Sequence, residues 1–260
     1  MNLSAVKTVS IFALAIILIS GCSGSKRLEV KRQITGLETN CYLIYDIQSR
    51  EAALIDVGGP IDSLLTIIHE QDLKLKYFLF THGHADHTIG LPAIRNKFPA
   101  ALVCMHRKDY KNTFVWTEWA YEYFEQETIE EWAKDPEMKK IIEFDPDSFG
   151  EPEIFVTNNQ EFELGNFRIR AIHSPGHSVG SICYHINNSL FSGDVLFRGK
   201  VGNTYLLGGS PEEIVRSVRR LYTMFPDETI VYPGHNEFTT IGAEKTENDE
   251  VTIDSVSLEN

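Results

Sequence analysis

The run Thr81-His82-Gly83-His84-Ala85-Asp86-His87 directly follows the apolar stretch Tyr77-Phe78-Leu79-Phe80. Four nitrogen or oxygen donors crowd into six positions, and imidazole and carboxylate are the ligands that borderline divalent cations accept. They can converge only if the chain turns sharply where a strand ends, a turn Gly83 is expected to permit. Three more candidates lie far along the chain: His177 in Ser-Pro-Gly-His, Asp194 in Ser-Gly-Asp and His235 in Tyr-Pro-Gly-His. Each is preceded by Gly and lies just past an apolar, strand-like run. A lone His at a strand end is usually a satisfied polar residue, and Pro-Gly-His by itself is an ordinary turn. It is the set that points to a metal centre, and a fold compatible with it gathers the scattered donors into one pocket.

Short β-rich runs alternate with helical patterns, as in α/β proteins. Strands are expected over 41–45, 52–56, 77–81, 101–105, 167–172, 181–185, 189–192 and 229–232, with Asn187-Asn188 as a hairpin turn. Helices are expected over 61–71, 88–98 and 211–224. The last has Ser210 as N-cap, Pro211 in the first position and Glu213 in the third, a capping box. Its Ile214, Val218, Leu221 and Tyr222 recur at helical spacing and form a buried stripe.

The order H-x-H-x-D-H, then His, then Gly-Asp, then Pro-Gly-His resembles the metallo-β-lactamase-fold hydrolases, and among them the glyoxalase II-like branch. The likeness runs from about Asn40 to Asn248. It includes Cys41-Tyr42-Leu43-Ile44, Leu54-Ile55-Asp56-Val57-Gly58-Gly59, Gly193-Asp194-Val195-Leu196-Phe197 and Thr240-Ile241-Gly242. It implies an α/β, four-layer αββα sandwich, two sheets face to face with helices outside, and a site at one edge. It also implies two divalent ions, zinc first with iron or manganese acceptable. His82, His84 and His177 would hold one ion, Asp86, His87 and His235 the other, and Asp194 both.

Such a pair of ions acidifies a bridging water to hydroxide near neutral pH. The expected activity is therefore hydrolysis of a small-molecule thioester, ester or lactone, with Asp86 and Asp194 as the carboxylates of the catalytic centre. A mononuclear iron sulfur dioxygenase, a β-lactamase, a phosphodiesterase and a non-enzymatic binding lipoprotein are the alternatives. No G-x-S-x-G run supports a serine nucleophile. Asn203 stands where the family usually offers Arg or Lys to glutathione, and 25 residues follow His235. Asn203 and Tyr205 are the candidate substrate-pocket residues. Among other residues, Asp56 and His173 are candidates to hold ligand imidazoles by their second nitrogen. His69, His106 and His185 are read as ordinary structural or surface residues.

Net charge is −13. Phosphate backbones are held through Lys and Arg, so this balance weighs against a nucleic-acid partner. Residues 1–21 read as a lipoprotein signal peptide: Lys7 is a positive start, 9–19 an apolar run too short to span a bilayer, and Leu18-Ile19-Ser20-Gly21-Cys22 resembles a bacterial lipobox. Lipidation at Cys22 would tether the protein outside the cytoplasmic membrane. Residues 22–27 would form the leash, 28–248 the catalytic domain, and 249–260 a disordered acidic tail. Cys41, Cys104 and Cys183 sit in apolar runs and are expected to stay unpaired. Within the domain, about 107–158 form an aromatic-rich helical insert with Tyr110, Phe114, Trp116, Trp119, Tyr121, Tyr123, Phe124 and Trp132. Those aromatics either pin the insert to the body or wall a substrate pocket.

Overall fold

The computed structural model of the protein describes residues 26–110 and 124–252. Residues 1–25 with Cys22, then Phe114, Trp116, Trp119, Tyr121 and Tyr123 of the insert, and residues 253–260 lie outside the described residues. Among the described residues, no helix is long and apolar enough to cross a membrane.

Period-two patterning builds the layers. Every residue of β2 (Thr39–Asp46) is buried, because successive side chains point to opposite faces and both faces are covered. Cys41, Leu43 and Tyr45 enter one core, while Tyr42 and Ile44 enter another. β2 lies between β1 (Leu28–Thr35) and β3 (Glu51–Ile55), and the sheet continues through β4 (Lys74–Leu79), β5 (Leu102–His106) and β6 (Ile154–Val156). The first three strands are antiparallel and β3 to β6 run parallel.

The second sheet has the order β14 (Thr239–Thr240), β13 (Ile230–Pro233), β10 (Ser189–Gly193), β9 (Ile182–Ile186), β8 (Phe167–His173), β7 (Glu161–Leu164). Only β10 and β13 are parallel in it. A small hairpin joins β11 (Leu196–Phe197) to β12 (Lys200–Val201). Asn187, at a φ of 54°, makes the turn between β9 and β10.

Phe162, Ile169, Tyr184 and Phe191 of the second sheet meet Tyr42, Ile55 and Leu79 of the first in the central core. Outside the first sheet lie α1 (Asp62–Glu70), α2 (Ala85–Thr88) and α3 (Leu91–Ile94), of which α1 and α3 pack Leu64, Ile68, Leu91 and Ile94 onto it. Outside the second, α6 (Pro211–Met224) and α7 (Ile241–Glu247) cover Ile172, Cys183, Leu190 and Val231. Helix, sheet, sheet and helix thus give the expected αββα sandwich. Cys41, Cys104 and Cys183 are buried free thiols, one in each of the three cores.

Three local expectations fail. The helix over 88–98 is broken: α2 stops at Thr88, α3 starts at Leu91 and a 3-10 turn takes Arg95–Lys97. Gly90 is pressed so close to the 57–59 loop that a Cβ would meet the Gly59 carbonyl oxygen at 2.5 Å, and Pro92 lacks the N–H to carry the helix through. The cap of α6 is one-sided, since Ser210 Oγ accepts the Glu213 N–H at 3.3 Å while the Ser210 N–H donates to Gly176. Residues 249–252 do not begin a disordered tail. The Asp249 N–H donates to Gly199 O, Val251 is buried beside Leu221 in the outer core, and Tyr222 Oη donates to the Val251 carbonyl.

Candidate metal centre

All seven candidate ligands emerge from strand ends at one edge of the sandwich. The chain leaving β4 carries His82 and His84, and the first turn of α2 immediately presents Asp86 and His87. His177 lies between β8 and β9, Asp194 between β10 and β11, and His235 just past β13. Because β10 and β13 are parallel neighbours, Asp194 and His235 reach the same edge. Gly234 makes that approach possible: a Cβ there would fall 2.2 Å from Asp194 Oδ1 and 2.7 Å from His87 Cε1. Gly83 does not act as expected. It is not among the positive-φ glycines, and its N–H is instead held by Asp109 Oδ2 at 3.2 Å.

The donors form three trios, each with ligand atoms within 4.8 Å of one another: His82, His84 and His177; His82, His87 and Asp194; Asp86, His87 and His235. His177 Nε2 lies 3.2 Å from His82 Nε2 and 2.9 Å from His84 Nδ1. His235 Nε2 lies 3.3 Å from both His87 Nε2 and Asp86 Oδ2. Asp194 stands between the groups, with Oδ2 at 3.5 Å from both His177 Nε2 and His235 Nε2 and Oδ1 at 3.4 Å from His87 Nε2.

The outward nitrogens decide what the inward ones can do. His87 Nδ1 is 2.9 Å from Asp56 Oδ2, His177 Nδ1 is 2.8 Å from the Asn203 carbonyl, and His235 Nδ1 is 3.1 Å from the Glu38 carbonyl. Those three oxygens only accept, so each imidazole keeps a proton on Nδ1 and leaves the inward Nε2 as the nitrogen a cation would take. Inward lone pairs packed this closely repel unless a cation lies among them. Asp194 Oδ1 is buried with no hydrogen-bond donor of its own, which suits a ligand of the same cation. The donor set therefore fits metal ions.

The electrostatics agree. Burial and the neighbouring imidazoles push His82 well below the usual histidine range, and burial with His177 takes His84 to about 3. These rings stay neutral, as ligands must. Burial also opposes charge at His87, but Asp194, Asp86 and Asp56 outweigh it and hold that ring well above its ordinary value. Despite its burial, Asp86 is brought to about 2 by His87 and His235. The carboxylate side of the cluster thus calls for positive charge.

Asp56 takes the part expected of it, binding His87 and also the Thr81 N–H at 2.8 Å and hydroxyl at 2.7 Å. His173 does not. It stacks on His106 with centroids 4.5 Å apart, and its Nε2 meets the Val179 carbonyl. Asn203 and Tyr205 both line a cavity of about 530 Å³ over the cluster. Asn203 has a second task no motif announces, its carbonyl orienting His177. Among the described residues, 124–158 form α4 (Gln126–Trp132) and α5 (Pro136–Ile142) and then return to the first sheet as β6. Trp132 packs on Ile129 and Ile142, and with Phe124, Met138 and Ile141 it also walls the cavity.

Residues 34–235 match the Metallo-beta-lactamase superfamily. The chain belongs to that superfamily of metal-dependent hydrolases. This superfamily member is 33% identical to hydroxyacylglutathione hydrolase GloC of Haemophilus influenzae, across 83% of its own length and 93% of the relative's. The solved BLEG-1 B3 metallo-beta-lactamase superposes with a TM-score of 0.68 at 30% identity, covering 85% of this chain and 98% of that one. The protein TTHA1623, solved in a di-iron-bound form, gives 0.65 at 26% identity over 85% and 99%.

Proposed function

We propose that the protein is a binuclear metal-dependent hydrolase of a small thioester, ester or lactone. The observation that carries this reading is Asp194, a buried carboxylate reaching both His177 and His235 at 3.5 Å, so that two ligand groups share one oxygen donor. His82, His84 and His177 would hold one ion and Asp86, His87 and His235 the other. The di-iron form of TTHA1623 supports the count of two. Nitrogen and carboxylate donors accept zinc readily, with iron and manganese as substitutes.

When bound, such a pair supplies an acidified water and Lewis-acid polarisation of a carbonyl. The chain's own residues orient and confine. Asp194 and Asp86 keep their carboxylates ionised, Asp56, Glu38 and Asn203 fix the imidazole tautomers, and Asp56 is itself locked by Thr81. Overall, water adds to the acyl carbon, the carbon–sulfur or carbon–oxygen bond breaks, and the thiol or alcohol leaves with a proton. Phe124, Trp132, Met138, Ile141, Phe197 and Leu206 surround the cavity above the cluster, which favours an apolar acyl group. The likeness of Leu18-Ile19-Ser20-Gly21-Cys22 to a lipobox is what supports placing the protein, anchored by lipid, outside the cytoplasmic membrane.

The test is metal analysis followed by turnover on thioester, ester, lactone, β-lactam and phosphodiester substrates, using protein without residues 1–22. Two ions per chain with carbonyl hydrolysis is the expected result. A single iron with oxygen uptake, or two ions with hydrolysis confined to β-lactams or phosphodiesters, overturns it.

A further inference from the structure

Asp109 lies outside every motif, yet it is fully buried and joins two of the ligand-bearing loops. Its Oδ2 accepts the Gly83 N–H at 3.2 Å and the Ser178 hydroxyl at 2.6 Å, and its Oδ1 accepts the Gly180 N–H at 2.7 Å. Gly83 is the residue between His82 and His84. Ser178 directly follows His177. One carboxylate therefore grips the backbone between two imidazoles and the turn behind the third, which together form the all-histidine trio.

The loop is shaped around this contact. A Cβ on Gly180 would meet Asp109 Oδ1 at 2.5 Å and His106 Nδ1 at 2.8 Å, so a side chain there would lift the loop off the carboxylate. Ser178 is braced a second time, its hydroxyl 2.7 Å from Ser181 Oγ and its N–H donating to the same oxygen at 3.1 Å. Burial pushes the Asp109 carboxyl up to about 6 against the pull of these donors. Keeping an acid in such a place costs stability, and a carboxylate used only to fill space would be replaced by an apolar residue at no loss.

We infer that Asp109 is a positioning residue for the His82, His84 and His177 trio, setting the spacing of those three rings without touching an ion. This rests on the binuclear reading above. Outer partners of metal ligands typically change affinity by about 10- to 100-fold when replaced. Asp109→Asn keeps the volume, but its amide nitrogen cannot accept, so either the Gly83 N–H and the Ser178 hydroxyl, which share Oδ2, or the Gly180 N–H on Oδ1 loses its acceptor.

The experiment is a Co²⁺ titration of wild type and Asp109→Asn against a competing chelator, following the visible absorption of each site. Wild type fills two sites, which tests the binuclear reading separately. In Asp109→Asn one ion is expected to bind as before and the other about 10- to 100-fold more weakly, with an altered spectrum for the weakened site. Ser178→Ala, a milder change, should weaken the same ion by less and secures the test if the first variant does not fold. Asp46→Asn removes another buried carboxylate, one bonded to Asn166 and Gln48, and controls for stability loss alone. Unchanged binding of both ions in Asp109→Asn, equal weakening of both, or the same pattern in Asp46→Asn would overturn the inference.

Discussion

Replacing Asp56 by Asn tests how the outer hydrogen bonds tune the cluster, because the swap changes charge and donor pattern while keeping shape. Asp56 sits at a φ of 56°, in the left-handed region that Asn tolerates and most residues do not. The carboxylate accepts from the Thr81 N–H at 2.8 Å, the Thr81 hydroxyl at 2.7 Å and His87 Nδ1 at 2.9 Å. In the variant the amide oxygen is claimed by the buried Thr81 N–H. The amide nitrogen then faces Thr81 Oγ1 and His87. The hydroxyl adapts by donating to His82 Nδ1, 3.0 Å away. His87 cannot rotate out of the conflict. Its Nδ1 becomes an acceptor and its proton moves to Nε2, the atom aimed at Asp86, Asp194 and His235.

A proton on that nitrogen competes directly with an ion. The expected loss is about 10- to 100-fold in affinity at the Asp86, His87 and His235 group, equivalent to about 1.4–2.7 kcal/mol. The all-histidine trio weakens as well, because a Thr81 hydroxyl donating to His82 Nδ1 leaves that ring's proton on Nε2, the nitrogen facing His177. Metal content at graded free zinc reads the two sites, and ¹⁵N shifts of His87 read the tautomer. Should Asp56→Asn take up its second ion at the same free zinc concentration as wild type, the tautomer argument is wrong.

Gly234→Ala places a methyl group 2.2 Å from Asp194 Oδ1; overpacking of this kind costs about 1–3 kcal/mol, and the second ion should be lost, as metal analysis would reveal. For the cavity wall, Trp132→Ala should flatten the rise of kcat/KM with acyl chain length. In wild type that rise approaches about fourfold per methylene, from about 0.8 kcal/mol per buried CH₂, and identical slopes in the two proteins would contradict an acyl-binding wall. His106 is held down at about 4 by burial and by His173. A depressed histidine stays neutral in the fold while the unfolded chain takes up the proton, so its contribution to stability is lost as pH falls from about 6.5 towards 4. Denaturation of His106→Asn against wild type should show a constant difference above pH 7 and a relative loss for wild type below 6.5.

The chemistry of the site was legible because donor types and their spacing are local facts. Histidines and acids packed behind an apolar run, and the later His and Asp residues each behind a Gly, state what kind of ion the chain can hold. The apolar strands were legible for the same reason, since burial on both faces leaves an unbroken hydrophobic run. β1 leaves no such run because it is a half-exposed edge strand in which Arg32, Lys31 and Glu29 mask the alternation. The break at Gly90 has no local signature because it comes from contact with Gly59, far back in the chain.

An inventory can be read from the order of residues alone: an α/β chain with seven metal-seeking side chains at the ends of strands and a net negative charge. The grouping of those side chains, and the partners that orient them, arise from the packing of the two sheets. Asp109 reaching Gly83 and Ser178, Asn203 facing His177, and Glu38 facing His235 are contacts across 26 to 197 positions. No local pattern encodes them, because hydrogen bonds and metal geometry depend on distances in space that exist only after the two sheets have packed.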